Sequence, residues 1–355
     1  MPDARCTRDL VCTWYCDNAT LTRMAASIRS HERAVVRRVS KIVPVVDRSG
    51  YVMPITRRIY VSLPADSHLP PNLNRLKWGI VDEIEKRGFV PEIFTNPRGR
   101  PGLASSKSWH PRDADEIARR CVGAAILGIA RWRFQDTDGQ AVLLPTEFNH
   151  YEGALTRTLG LPTLVLVQWE IRRRVVFDLN FAGFVGGFDA GADVDWLHTD
   201  DFHVPFKYWL EKLNDRRDVF LGYAGASSPT AAAIKTYLQS LGATVLDWQT
   251  DFIPGRTILN QIEQAAARSI GGIFLFTKDD DLADPAPGIV AVPRDNVVFE
   301  AGYFIGLKGK NNVLIIREAG SKLPADLGGD IYAALPGQGD IRTIERALKA
   351  FLDAI

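Results

Sequence analysis

The chain is predicted to be α/β, with two tandem domains that each hold a parallel sheet. Three observations carry that prediction. From about Arg57 onward, short apolar strands alternate with amphipathic helices, the pattern of a parallel sheet covered by helices on both faces. The order of those elements then recurs in the second half. Finally, the halves can be laid over each other at one constant offset across strand, helix and strand.

In the first half, Arg58 to Pro64 reads as a strand, and Pro70 to Arg87 as a helix that stops at Gly88. Val90 to Phe94 reads as a second strand and Asn96 to Ser108 as a Gly/Pro/Ser loop. Pro111 to Cys121 is a helix, Val122 to Ala130 an apolar strand, Glu147 to Leu159 a helix and Leu161 to Gln168 another apolar strand. In the second half, Asp218 to Tyr223 is a strand and Pro229 to Leu241 a helix that stops at Gly242. Ala243 to Trp248 is a strand, Thr257 to Ser269 a helix and Ile270 to Thr277 an apolar strand. Asn296 to Leu307 is a helix, Asn312 to Arg317 a strand, and Ile341 to Ile355 an amphipathic helix.

In the overlay, Gly123 to Ala130 falls on Gly271 to Lys278. Glu152-Gly-Ala154 falls on Glu300-Ala-Gly302, and Leu164 to Val167 on Asn312 to Ile315. We expect an N-terminal extension over 1–54, a first domain over 55–212 and a second over 216–355. Ile171 to His198, with Gly183, Gly186 and Gly187, finds no counterpart in the overlay and is expected to be a hairpin specific to the first domain.

Composition removes several function classes. The chain has 355 residues, 46% hydrophobic and 24% charged, with a formal net charge of +1. That balance argues against a nucleic-acid binder. No apolar run approaches the roughly 20 residues that span a bilayer, so no membrane partner is expected. Met1 to Ser30 shows no signal-peptide apolar region, and the four cysteines are too few for a disulfide framework, which points to a cytoplasmic protein. Cys6, Cys12 and Cys16, with His31 downstream, fit no common zinc-ligand spacing, so no metal is expected.

The segment Arg294 to Gly306 carries the sharpest functional signal. It sets one carboxylate, Glu300, among Val297, Val298, Phe299, Tyr303, Phe304 and Ile305, where burial is costly without a task or a partner. In an open α/β sheet, ligands bind beyond the carboxyl ends of the strands. Three segments converge there: the turn Gly222–Ser228, the loop Asp251–Thr257 and the acidic run Asp279–Asp281.

Four motifs in this half occur together: Val219-Phe-Leu-Gly-Tyr-Ala-Gly225, Pro254-Gly-Arg-Thr-Ile258, Phe276-Thr-Lys-Asp-Asp280 and Asn296-Val-Val-Phe-Glu-Ala-Gly-Tyr-Phe-Ile-Gly306. In this order they resemble the bacterial TIR-like nucleotide-binding domains of antiphage effectors, over residues 216–355. One departure lies in the first motif, where Tyr223-Ala-Gly-Ala226 replaces the usual His-Gly-Arg type of turn. The resemblance implies two tandem flavodoxin-like (TIR-like) domains and an NAD+ glycohydrolase in the second. NAD+ would be its substrate, no cofactor would be needed, and Glu300 would be catalytic. It also implies assembly into homo-oligomers on activation.

The substrate contacts expected in that domain are Tyr223, Gly225, Ser227, Trp248, Phe252, Arg256, Asp279 and Asp280. Trp248 or Phe252 would stack on a ring, Arg256 would meet the pyrophosphate, and Ser227 with Ser228 would bind phosphate at a helix N-terminus. Each has a structural alternative. Glu300 can be an ion-pair partner of Arg256 or Arg294, Trp248 a core residue, Arg256 a partner of Asp251, Ser227 a helix cap, and Asp279–Asp281 a solvated turn.

The first domain resembles, more weakly, the nucleoside deoxyribosyltransferase and TIR-like superfamily, through Glu147-Phe-Asn-His-Tyr-Glu-Gly-Ala154 and Leu159-Gly-Leu-Pro-Thr163. Glu152 takes the catalytic-type position, with His150 beside it. Three readings stand: a second active site with deoxyribosyltransferase-type activity, a retired copy that senses a nucleotide second messenger, or a surface glutamate without a role. For the whole chain, a non-catalytic TIR scaffold is the rival to the enzyme.

Overall fold

The computed structural model describes residues 56–67, 69–94, 109–178, 184–253, 255, 257–282, 288–324 and 332–355. The expected extension 1–54, with Cys6, Cys12, Cys16 and His31, lies outside these residues. So do the segments 95–108, with the expected Gly/Pro/Ser loop, and 179–183.

In the first half, β1 (Arg58–Ser62) leads to α1 (Pro71–Lys86), β2 (Val90–Glu92), α2 (Pro111–Arg119) and β3 (Gly123–Gly128). A hairpin of β4 (Trp132–Gln135) and β5 (Ala141–Leu144) follows. Then come α3 (Glu147–Thr158), β6 (Thr163–Gln168), β7 (Phe184–Phe188) and α4 (Asp200–Asn214). The second half runs β8 (Arg217–Gly222), α5 (Ser228–Ser240), β9 (Val245–Asp247), the single turn α6 (Trp248–Asp251), α7 (Ile258–Arg268) and β10 (Ser269–Phe276). It ends with the short pair β11 (Asp280–Asp281) and β12 (Ala291–Val292), then α8 (Asp295–Lys308), β13 (Val313–Glu318), β14 (Tyr332–Leu335) and α9 (Glu345–Ala354).

Two five-stranded sheets result, ordered β2-β1-β3-β6-β7 and β9-β8-β10-β13-β14. All their ladders are parallel. Both follow the flavodoxin-like order 2-1-3-4-5, whose switch point between the first and third strands opens a crevice at the carboxyl edge. The central strands read as continuous apolar runs because helices cover both faces: every residue of β3, β6 and β10 is buried. Helix ends follow the local signals. Thr146 and Thr257 cap α3 and α7, prolines open α1, α2 and α5, and Gly88 and Gly242 take positive φ just beyond α1 and α5.

The segment Ile171–His198 is not a hairpin, and it has a counterpart. Its strand β7 lies parallel to β6, as β14 lies parallel to β13. The repeat extends to individual bonds. Ala130 N donates to Gln168 Oε1 at 3.0 Å, and Lys278 N to Glu318 Oε2 at the same distance. Trp169 N donates to Phe188 O, and Ala319 N to Leu335 O, both at 2.8 Å. Isolated bridges join Leu143 to Ile171 and Ala291 to Ser321. The exposed hairpin β4–β5 thus sits where the second half has the shorter β11–β12.

The two sheets belong to one compact unit, and polar contacts stitch them together. Arg216 is buried and donates through Nη1 to Ala267 O at 2.9 Å and Gly160 O at 3.5 Å. Arg119 Nη1 donates to Leu307 O at 2.8 Å, at the end of α8, and Asn312 Nδ2 to Arg119 O at 3.4 Å. Lys308 is buried beside these arginines and makes no ion pair among the described residues. Burial, with the nearby charges of Arg216 and Arg119, pushes its ammonium down to about 7. No helix among the described residues is long and apolar enough to cross a membrane.

The folded value of the lysine lies below its unfolded one, so its penalty is full below about pH 7 and fades as pH rises from about 7 to 10.5. Lys308→Met should therefore raise stability at pH 7 by on the order of 2 kcal/mol, measured by urea unfolding, with the gain shrinking toward pH 10.5. An unchanged or lowered midpoint at pH 7 would contradict the packing described.

Candidate active site

At the carboxyl edge of the second sheet, β8 ends at Gly222, β9 ends at Asp247, and α7 and α8 begin. Between them lies a cavity of about 610 Å³, within the usual size of a small-molecule site. Tyr223, Gly225, Trp248, Phe252, Arg294 and Glu300 all line it, with Gln249, Gln261 and Asn296.

Glu300 sits in the second turn of α8 and is only 8% exposed. Among the described residues it has no hydrogen-bond or ion-pair partner, and burial pushes its carboxyl up to about 7. Its floor is apolar: Phe220, Phe274 and Phe304 are fully buried, with Phe220 and Phe304 stacked at 5.1 Å. Gly222 stands opposite. A Cβ there would lie 3.0 Å from Glu300 Oε2 and 2.5 Å from Phe274, so only glycine leaves this space open.

The other walls are held firmly. The Tyr223 hydroxyl donates to Asp247 Oδ1 at 2.8 Å, and Lys235 pairs with Asp247 Oδ2 at 2.9 Å. Burial first, then the neighbouring Asp247, push the phenol well above its usual range. Tyr223 is thus 4% exposed, with its hydroxyl committed to Asp247. Trp248 is half-buried, and its indole N–H donates to Tyr223 O at 3.0 Å, which fixes the ring against the cavity. Phe252 lies parallel to Phe220 at 6.1 Å. Gln261 accepts from Ile253 N and so ties down the loop before α7.

Three expected contacts face elsewhere. Ser227 occupies the N-cap position of α5 but makes no capping bond. It is fully buried, its hydroxyl 2.7 Å from Thr277 Oγ1. Thr277 donates to Asp279 Oδ1 at 2.8 Å, while Asp279 Oδ2 accepts from Arg294 N at 2.9 Å. Asp280 pairs with Arg294 at 3.2 Å. Asp279 and Asp280 thus anchor the start of α8 rather than line the cavity. They also lie past the end of β10, with Asp280 and Asp281 forming the ladder with β12. Arg256 lies outside the described residues. Arg294, Asn296, Gln249 and Gln261 were not expected. Asn296 stands one helical turn before Glu300, a spacing that pointed to it.

The matching site of the first half differs at its centre. Glu152 is 5% exposed on α3 and accepts from Trp109 Nε1 at 2.8 Å. Burial raises its carboxyl, and hydrogen bonding to Ser62 and Trp109 pulls it only part of the way back. Ser62 pairs with Ile126 as Gly222 pairs with Phe274, so a hydroxyl fills the position that is open beside Glu300. Asn149 Nδ2 donates to Ser62 Oγ at 2.7 Å. His150 is half-buried with its ring edge-on to Phe177 at 5.2 Å, and burial lowers its pKa.

The second half is thus an α/β domain of flavodoxin order, with a buried glutamate facing an open crevice at its carboxyl edge. Comparison with known proteins gives its class, a TIR-like domain: residues 218–336 match the family model described as CAP12/Pycsar effector protein, TIR domain. The chain is 36% identical over 146 residues to uncharacterized protein YuaY of Escherichia coli (strain K12), covering 40% of this chain and 47% of that one. It is 34% identical over 112 residues to CD-NTase-associated protein 12 of Flavobacterium daejeonense, covering 31% and 35%. It is 31% identical over 109 residues to the protein of the same name from Sphingobacterium faecium, covering 30% and 33%. The chain spans less than half the length of these relatives.

The geometry of Glu300 predicts its effect on stability. The folded carboxyl titrates above the unfolded one, so stability falls as pH rises from about 4.5 to 7. Glu300→Gln should stabilise the protein at pH 8 by on the order of 2–3 kcal/mol and change little at pH 4. Thermal melts at the two pH values test this, and equal shifts at both would contradict it.

Proposed function

We propose that the second half is an NAD+ glycohydrolase with Glu300 as its catalytic residue. The observation that supports it most is a buried carboxylate without a protein partner, facing a cleft of nucleotide size across a glycine. In NAD+ the bond between nicotinamide and ribose C1′ breaks with its electron pair going to the ring nitrogen. Nicotinamide leaves neutral, so no general acid is required. Positive charge develops on C1′ and the ribose ring oxygen, and water then adds at C1′ and releases a proton, giving ADP-ribose. Attack by an adenine nitrogen instead of water gives the cyclic product.

Glu300 is suited to the charge that develops. Its carboxylate would lie against the ribose, stabilise the oxocarbenium-like state and accept from the ribose hydroxyls, as a carboxylate does in glycoside hydrolysis. The apolar floor of phenylalanines strengthens that interaction by excluding water. Trp248 and Phe252 supply faces for the nicotinamide or adenine ring, and Arg294 a cation for the pyrophosphate.

We assign the first half to regulation. Glu152 is engaged by Trp109 and Ser62, which suits a structural carboxylate better than one awaiting substrate. Relatives named for association with a CD-NTase support an effector role in antiphage defence, gated by a nucleotide signal. Assembly into homo-oligomers belongs to the same proposal.

Purified protein, concentrated or supplied with its activating nucleotide, should release nicotinamide from NAD+. Glu300→Gln should lower that rate at least a thousandfold while the fold is kept, and Glu152→Gln should leave it within about tenfold, magnitudes in line with the loss of one transition-state charge. The wild-type rate should climb with pH through about 7 as Glu300 ionises. A Glu300→Gln protein that still cleaves NAD+ would overturn the assignment.

A further inference from the structure

The carboxyl edge of the first sheet presents an arginine–tryptophan surface that none of the chemistry above uses. The hairpin β4–β5 rises from the end of β3 and carries Arg131, Trp132 and Arg133. The segment after β6 carries Trp169, Arg172, Arg173 and Arg174. The two are joined: Arg172 N donates to Leu143 O at 2.8 Å, and Leu143 pairs across β5 with Arg133. Strand spacing thus puts Arg133 and Arg172 about 10 Å apart, two ladder widths.

Several arginines elsewhere are ion-paired, as in Arg58–Glu92, Arg75–Asp193, Arg119–Asp115 and Arg342–Asp340. None of these five forms an ion pair among the described residues. Two carboxylates share a small cavity with Arg172 and are oriented by backbone donors: Glu170 accepts from Ala190 N at 2.9 Å, and Asp136 from Asp138 N and Gln140 N. Glu147 faces His150 from the start of α3.

The arginine run is also held out deliberately. Ile171 and Val176 are buried at 3% and 1%, and Phe177 packs into the space left by Gly128, while Val176 fills that left by Gly153. Between these anchors Arg172, Arg173, Arg174 and Val175 are all exposed. Val175 has φ +52°, a left-handed conformation that a β-branched residue adopts only under strain. Three adjacent cations repel one another as well, so an apo surface of this shape is costly and a bound anion would relieve it. Two guanidiniums already lie over indoles, Arg131 on Trp132 at 5.2 Å and Arg173 on Trp169 at 5.0 Å.

We propose that this surface is a nucleotide-binding site, with phosphates on Arg133 and Arg172–Arg174 and the base on Trp169 or Trp132. Guanidiniums recognise phosphate by paired hydrogen bonds, and exposed indoles stack on bases of any kind. The patch is confined to two adjacent strand ends, and the net charge is only +1, so a small nucleotide fits better than a strand of nucleic acid. The site lies at the edge where the second half has Asp279–Asp281, so the duplication has reversed the charge of one loop. It deepens the gating role assigned to the first half, but binding itself does not depend on NAD+ cleavage.

The test is calorimetric titration of the whole 355-residue chain, with tryptophan fluorescence as a second readout. The probes are AMP, ATP, GTP, cyclic di-AMP, cyclic di-GMP, tripolyphosphate and a 20-nucleotide single-stranded RNA. At least one nucleotide should bind saturably and quench tryptophan emission. Arg172→Glu with Arg173→Glu should weaken it at least tenfold and Trp169→Leu about fivefold, while Arg172→Lys with Arg173→Lys loses less. Circular dichroism checks that each variant is folded. The proposal is overturned if no nucleotide binds the folded wild type, if the glutamate variants bind as wild type does, if tripolyphosphate binds as tightly as every nucleotide, or if the RNA binds more tightly than all of them. Nicotinamide release read on the same samples keeps a failure here separate from a failure of the NAD+ reading.

Discussion

A carboxylate that is buried and left without a partner is the constraint around which the second half is built. Removing Glu300 from water raises its carboxyl to about 7, and nothing in the described structure compensates it. The surroundings all serve to keep it in that state. Gly222 withholds a side chain, the phenylalanine floor withholds polarity, and α8 is pinned at both ends. Asp279 holds its first turn through Arg294 N, and Arg119 from the first half holds Leu307 O at its last. A helix fixed in this way presents its glutamate to the cleft without paying for reorganisation when charge appears there.

The duplicated half shows what the same position looks like once it is satisfied. Glu152 occupies the matching turn of the matching helix, but Ser62 stands where Gly222 does, and Trp109 closes over it with Phe148 at 4.7 Å and Tyr151 at 5.1 Å. Two substitutions of environment, glycine to serine and open cleft to indole, turn a carboxylate available to a ligand into one that holds its own domain together. The backbone frame did not diverge to the same degree, as the paired bonds at Gln168 and Glu318 show. Divergence concentrated on the carboxyl edge, where the connecting loops differ in length and in charge.

Most of the fold was legible because buried parallel strands are apolar throughout, and their helices carry ordinary caps and stops. Glu300 was legible for the converse reason, as a lone charge in an apolar helix. The fifth strand of each sheet was not: Phe184–Phe188 contains two glycines, and Tyr332–Leu335 is short and alternates between exposed and buried. Helix α4 holds Pro205 in its interior, which disguises it. The hairpin β4–β5 did carry a turn signal, Asp138-Gly139, but β4 is exposed along its whole length and lacks the alternation that marks a half-buried strand. At the site, ring positions such as Trp248 and Phe252 followed from local sequence. The roles of Ser227 and Asp279 did not, because Thr277 and the backbone of Arg294 reach them from other segments.

Glu300 is buried and unpaired among the described residues, and its carboxyl is therefore pushed up to about 7. Carbon-detected NMR of the glutamate carboxyls, with Glu300 assigned by the signal missing from its glutamine variant, measures this directly. A midpoint near 7 is predicted. A midpoint in the ordinary carboxylate range, about 4.3, would mean that the carboxylate is solvated or paired, and would contradict the account.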